Sequence, residues 1–101
     1  MFENVYQHIL KYELEKRGLS AKIEVPLPLI YDDINFDIGF RIDLLVNDKV
    51  IIEIKSVEKP IEVHHKQLVT YLRLTNKKLG ILVNFNTEHI QGSIFRKVNG
   101  L

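Results

Sequence analysis

Four charged residues, Arg41, Asp43, Glu53 and Lys55, interrupt the otherwise apolar stretch RIDLLVNDKVIIEIKSVE at alternate positions. Side chains of a β-strand point to opposite faces in turn. Ile42, Leu44 and Val46 are therefore expected on one face, with Arg41, Asp43 and Leu45 on the other. On the return strand Val50, Ile52 and Ile54 form the apolar set, and Ile51, Glu53 and Lys55 the alternate one. The apolar sets share a face only if the loop between them has an odd number of residues, as a three-residue loop at Asn47-Asp48-Lys49 does. Asp43 then stands opposite Glu53, and Arg41 opposite Lys55. Two carboxylates at the usual cross-strand spacing of about 5 Å repel each other and suit a cation held between them. The same four residues also admit a plainer arrangement, a surface quartet in which diagonal Arg41–Glu53 and Asp43–Lys55 pairs offset the repulsion.

The elements that must position this hairpin are legible on either side of it. Phe2, Val5, Tyr6, Ile9, Leu10 and Leu14 recur at helical spacing. Gly18 follows the basic EKR and suits the left-handed position beyond a helix end, so the spacing predicts a first helix over Phe2 to Arg17. AKIEVPLPLI alternates but carries Pro26 and Pro28, which cannot donate to a ladder and argue for an edge strand. YDDIN is a turn. Pro60 suits the first turn of a second helix over PIEVHHKQLVTYLRLTNKK. LGILVNF is a short apolar run of the kind buried on both faces of a sheet, and GSIFRKV is a candidate last strand. The order helix, three strands, helix, strand, strand predicts an α/β sandwich with helices covering a mixed sheet.

Composition narrows the function classes. A chain of 101 residues is expected to form one domain, residues 1–101. Hydrophobic content of 46% with 27% charge describes a folded chain, not a disordered one. No run of about 18 apolar residues is present, so no membrane-spanning helix is expected. MFENVYQHIL lacks the basic region of a secretory signal. With no cysteine, disulfides, thiolate zinc sites and a cysteine nucleophile are excluded, which suits a cytoplasmic location. The net charge of +1 names no partner. Its distribution is uneven: residues 1–54 hold 6 Lys/Arg against 10 Asp/Glu, and residues 55–101 hold 8 against 3. A basic second half is compatible with phosphate contacts and equally with an ordinary solvated surface.

Asp43, nine intervening residues and then Glu53-Ile54-Lys55 resemble the D…E-x-K signature of the PD-(D/E)xK nuclease superfamily. Gln67 and Tyr71 in QLVTY resemble the QxxxY motif of its RecB-like members. Glu3 and Tyr6 in FENVY are similar to the ExxY of the small prokaryotic GxxExxY family, whose glycine would fall immediately before Met1. Ile42 stands where the usual motif has proline. The resemblance spans nearly the whole chain, and it implies a restriction-endonuclease-like αβββαβ core with a mixed sheet flanked by helices. It also implies phosphodiester hydrolysis of nucleic acid, DNA first and RNA as the alternative, with Mg2+ or Mn2+ as cofactor.

Magnesium takes oxygen ligands and keeps several waters, so one or two carboxylates suffice. Asp43 and Glu53 fit as metal ligands, and the resemblance adds the backbone carbonyl of Ile54. Lys55 would reach a phosphate or orient the attacking water, and Glu3 would complete a second metal site or hold that water. Gln67 and Tyr71, four residues apart on one helical face with His64, would position the scissile phosphate or buttress the site. Arg41 would add a phosphate contact. The adjacent pair His64-His65 diverges by about 100° on a helix and lacks zinc spacing. A two-fold homodimer would suit cleavage of both strands of a duplex, although the chain has no heptad signature. Two other functions compete: a non-cleaving nucleic-acid-binding or regulatory module that keeps the fold, and a structural or oligomerisation module with an idle charge quartet.

Overall fold

The computed structural model describes residues 2–58, 60–85 and 93–100. A first helix, α1 (Phe2–Lys16), precedes three strands, β1 (Ala21–Tyr31), β2 (Ile34–Val46) and β3 (Val50–Lys55). A second helix, α2 (Glu62–Thr75), then leads to β4 (Leu79–Asn84) and β5 (Ile94–Val98). The strands form one sheet in the order β1-β2-β3-β4-β5, antiparallel throughout except for the parallel β3–β4 pair. Parallel neighbours need a crossover connection, and α2 supplies it. The expected restriction-endonuclease-like architecture, a mixed sheet flanked by helices, is the one observed. Among the described residues no helix is long and apolar enough to cross a membrane.

The core divides into two layers on either side of the sheet. On one side Tyr6, Leu10 and Leu14 of α1 pack against Ala21, Leu44, Val46, Ile52, Ile54 and Val83. On the other, Leu68, Tyr71 and Leu72 of α2 pack against Leu27, Ile42, Leu45, Ile51 and Leu82. Gly80 lets α2 approach β4, because a Cβ there would come within 2.8 Å of Leu68 Cδ1. Val5 and Ile9 belong to the helical spacing but are exposed, since a helix lying on a sheet buries only one stripe.

Local chemistry sets the element boundaries. Beyond α1, Gly18 takes a left-handed φ of 87°, and Leu19 N–H donates back to the Leu14 carbonyl at 3.0 Å, closing the helix end. Asp32 and Asp33, both with positive φ, make the tight β1–β2 turn. The start of α2 falls later than Pro60 suggested. Ile61 is the cap, its N–H donating to His64 Nδ1 at 3.1 Å and its carbonyl accepting from His64 N–H at 3.0 Å.

The hairpin loop at Asn47-Asp48-Lys49 has the odd length expected, with Val46 paired to Val50, Leu45 to Ile51 and Leu44 to Ile52. One placement must be corrected. Leu44 and Val46 lie on the α1 side, but Ile42 packs on the α2 side with Leu45. On β1 the same switch separates Ile23 from Val25. Between these two residues Glu24, opposite Asp43 in the continuing register, has a left-handed φ of 52°. A positive φ in a strand rotates the chain and breaks the alternation of faces, so the two strands roll over together there.

Candidate active site

The ladder between β2 and β3 runs from Val46–Val50 to Leu44–Ile52 and stops where the two acidic residues begin. Carboxylates take over the backbone hydrogen bonds at that point. Asp43 N–H donates to Glu53 Oε2 at 3.0 Å, and Ile54 N–H donates to Asp43 Oδ2 at 2.7 Å. Each acid thus satisfies an amide of the opposite strand. Buried amides need acceptors, so the opened end of the ladder fixes the two carboxyl groups as firmly as backbone pairing would.

Glu53 is only 4% exposed. Burial, followed by the charge of Asp43, pushes its carboxyl up to about 8, against the opposing Asp43 N–H and Lys55 ammonium. Asp43 is also raised, first by burial, with Glu24 and Glu3 adding negative charge while Ile54 N–H and Lys55 oppose. Two acids in one desolvated place cannot both ionise cheaply. Near neutral pH Glu53 therefore keeps its proton unless a cation joins the pair. Among the described residues no third acidic or imidazole side chain converges with them into a three-ligand group. An all-oxygen donor set with excess negative charge fits a hard divalent cation that retains water.

The other expected residues arrive in different ways. Lys55, at the end of β3, is half-buried and acts on both acids through its charge. Glu3 reaches the same end of β3, where its Oε2 accepts from Ser56 N–H at 2.8 Å. On α2, Gln67 Nε2 donates to Tyr71 Oη at 2.9 Å. Tyr71 is buried in one cluster with Ile42 and Ile51, and its hydroxyl is raised first by that burial and then by the charge of Glu53. His64 is used in the helix cap and not at the site. Arg41 pairs with neither Glu53 nor a free edge of the site. Its guanidinium forks onto Asp37, Nη1 to Oδ1 at 3.0 Å and Nη2 to Oδ2 at 3.2 Å, so the diagonal surface quartet does not form.

Two residues at the site were not anticipated. Gln7, 3% exposed, donates from Nε2 to the Asp43 carbonyl at 3.1 Å, while its Oε1 has no partner among the described residues. The available signal was its position four residues after Glu3, a polar side chain within the buried stripe of α1. Glu24 adds charge to both acids from the strained point of β1. No local pattern marks it, because its approach depends on the register between β1 and β2.

Comparison with known proteins accords with this geometry. The family model of the PD-(D/E)XK nuclease superfamily matches residues 1–97. No curated protein gives a significant match. Among solved structures, the chain is similar to that described as "Crystal structure of SSO0001", with a TM-score of 0.70 and 27% sequence identity. The match covers 99% of this chain and 50% of the other, so the chain spans about half the length of that relative.

Proposed function

Because the chain belongs to the PD-(D/E)XK nuclease superfamily, we propose that it hydrolyses phosphodiester bonds of nucleic acid, DNA foremost, with Mg2+ or Mn2+. The observation that carries this reading is the reciprocal bonding of Asp43 and Glu53 at the open end of the β2–β3 ladder. It gathers two acids that form no ion pair among the described residues. The Asp43 and Glu53 carboxylates with the Ile54 carbonyl would hold the ion. When bound, a divalent cation neutralises phosphoryl charge and lowers the pKa of water.

The remaining work falls to the chain's own groups. Lys55 holds a phosphate oxygen or orients the attacking water, and its charge favours the ionised acids beside it. Glu3, anchored on Ser56 N–H, is placed to hold that water from the α1 side. Gln67 is oriented by Tyr71 and keeps its amide oxygen for a positioned water or sugar hydroxyl. The Gln67–Tyr71 bond also supports placing the chain with the QxxxY and GxxExxY branches of the superfamily. Arg41, engaged by Asp37, is left out of the phosphate-binding group.

Purified protein incubated with single-stranded, double-stranded and branched DNA and with RNA tests the proposal. Cleavage that requires Mg2+ or Mn2+, stops with EDTA and disappears in Asp43→Ala and Lys55→Ala is the expected result. Cleavage unchanged in both variants would come from a contaminant and overturn the assignment. Binding without metal-dependent turnover would instead identify a non-cleaving module on the same fold.

A further inference from the structure

The long β1–β2 hairpin contains an irregularity close to the acids. Pro26 pairs with Arg41, but the next pair is Pro28 with Asp37. Ile38, Gly39 and Phe40 of β2 therefore stand against Leu27 alone on β1. Gly39 absorbs the extra length with a φ of 85°. Asp37 Oδ1 accepts from Gly39 N–H at 2.9 Å, and the Asp37 carboxylate takes the Arg41 fork. Arg41 Nη1 also donates to the Phe40 carbonyl at 3.1 Å. The ion pair thus staples the bulge from both ends and explains why Arg41 is turned away from the acids.

Bulges interrupt ladder bonds and are characteristically used to re-aim a side chain. Here the re-aimed residue is Phe40. Phe40 is 51% exposed and belongs to neither core cluster. Its ring lies 6.4 Å from the Tyr71 ring at an interplanar angle of 48°, and Tyr71 shares its buried cluster with Ile42, next to Asp43, and Ile51, two residues before Glu53. An exposed aromatic face beside a phosphate-cleaving group matches the stacking platforms that bind unpaired bases. In an intact duplex each base is already stacked, and presenting one requires unstacking at a cost of a few kcal/mol.

We infer that Phe40 stacks a nucleobase next to the phosphate that Lys55 receives beside Asp43 and Glu53, making single-stranded or frayed nucleic acid the substrate class. The inference rests on the proposed nuclease function and adds the substrate form to it.

The chain contains no tryptophan, so Phe40→Trp places a single tryptophan at this position, excited selectively over the tyrosines at the red edge of the absorption band. The metal-free variant is titrated with a single-stranded oligodeoxynucleotide, an abasic oligomer of equal length and a blunt duplex. Anisotropy of end-labelled strands reports binding independently. The expected result is tryptophan quenching by the base-bearing single strand and none by bound abasic oligomer. In parallel, Phe40→Ala and Phe40→Leu, the latter apolar but without a π face, weaken single-strand binding about tenfold and leave abasic binding unchanged. Phe36→Ala, at an exposed aromatic beyond the bulge, leaves all three affinities unchanged. A bound single strand that fails to quench, or an equal loss for abasic and base-bearing strands, overturns the stacking role alone. Failure of all three to bind overturns the nuclease proposal and this inference together.

Discussion

The two ends of the β2–β3 pair make opposite use of the same backbone. At the loop end, Leu44, Leu45 and Val46 pair in regular register with Ile52, Ile51 and Val50, all apolar and nearly all buried. One residue further along, the ladder stops and Asp43 and Glu53 accept the amides that would have bonded across it. The loop end supplies stability through burial. The open end uses that rigidity to hold two acids in a desolvated place where their charge is unfavourable. Activity and stability should therefore respond in opposite directions to substitutions at the two ends.

The largest effect is expected from Glu53→Gln. The amide oxygen can still accept from Asp43 N–H, so the fold persists, while the charge proposed to bind the metal is lost. Metal-dependent cleavage should fall by more than the about 10–100-fold that loss of an outer partner costs a metal site. Urea denaturation at pH 8 should show this variant to be more stable than the parent. A variant that is less stable and remains fully active would refute the contrast.

Leu44→Ala sits on the other side of the comparison. Leu44 is fully buried, and truncation should cost about 2–5 kcal/mol, measured by the same denaturation. Cleavage per folded molecule should be retained wherever the variant is still folded.

The pH dependence of metal-free stability separates the two ends further. Glu53 sits near 8 when folded against an ordinary value of 4.5, so between those values the native state binds more protons than the unfolded one. Stability should therefore be full below about pH 4.5 and fall as pH rises toward 8, with a slope of at most about 1.4 kcal/mol per pH unit from this group. Mg2+ or Mn2+ should oppose the fall, and Glu53→Gln should flatten it. A parent profile as flat as that of Glu53→Gln would rule out the raised Glu53 carboxyl.

The smallest change in stability is expected for Gln7→Leu. It removes both the hydrogen bond to the Asp43 carbonyl and the unpartnered Oε1, two effects that nearly cancel, leaving a difference within about 1 kcal/mol. Metal affinity, followed by calorimetry, should still drop about tenfold because Asp43 is less firmly placed. An unchanged affinity would make Gln7 a packing residue.

Much of this arrangement could be read from local patterns. The odd loop after Val46 follows from the positions of apolar residues in two adjoining strands, and it alone predicts that Asp43 meets Glu53. Gln67 and Tyr71 meet because four residues bring side chains together on any helix, and Gly18 ends α1 because only a left-handed residue closes that turn cheaply. These are consequences of periodicity, which neighbouring residues determine.

Ile42, Arg41, Gln7 and Phe40 follow a different logic. Strict alternation places Ile42 on the face of Leu44 and Val46, but where Glu24 of the neighbouring strand is left-handed it lies on the other side. Strand parity places Arg41 opposite Lys55 with Glu53 on the diagonal, yet a bulge measured against β1 brings it to Asp37. Gln7 and Phe40 matter only because α1 and the hairpin arm come to rest beside the same opened ladder. The sequence by itself determined which acids could pair and which elements would carry them, since side-chain periods are local. The tertiary structure decided how deeply those acids are buried, what holds them and what stands at their edge, because register shifts and packing between distant segments leave no local trace.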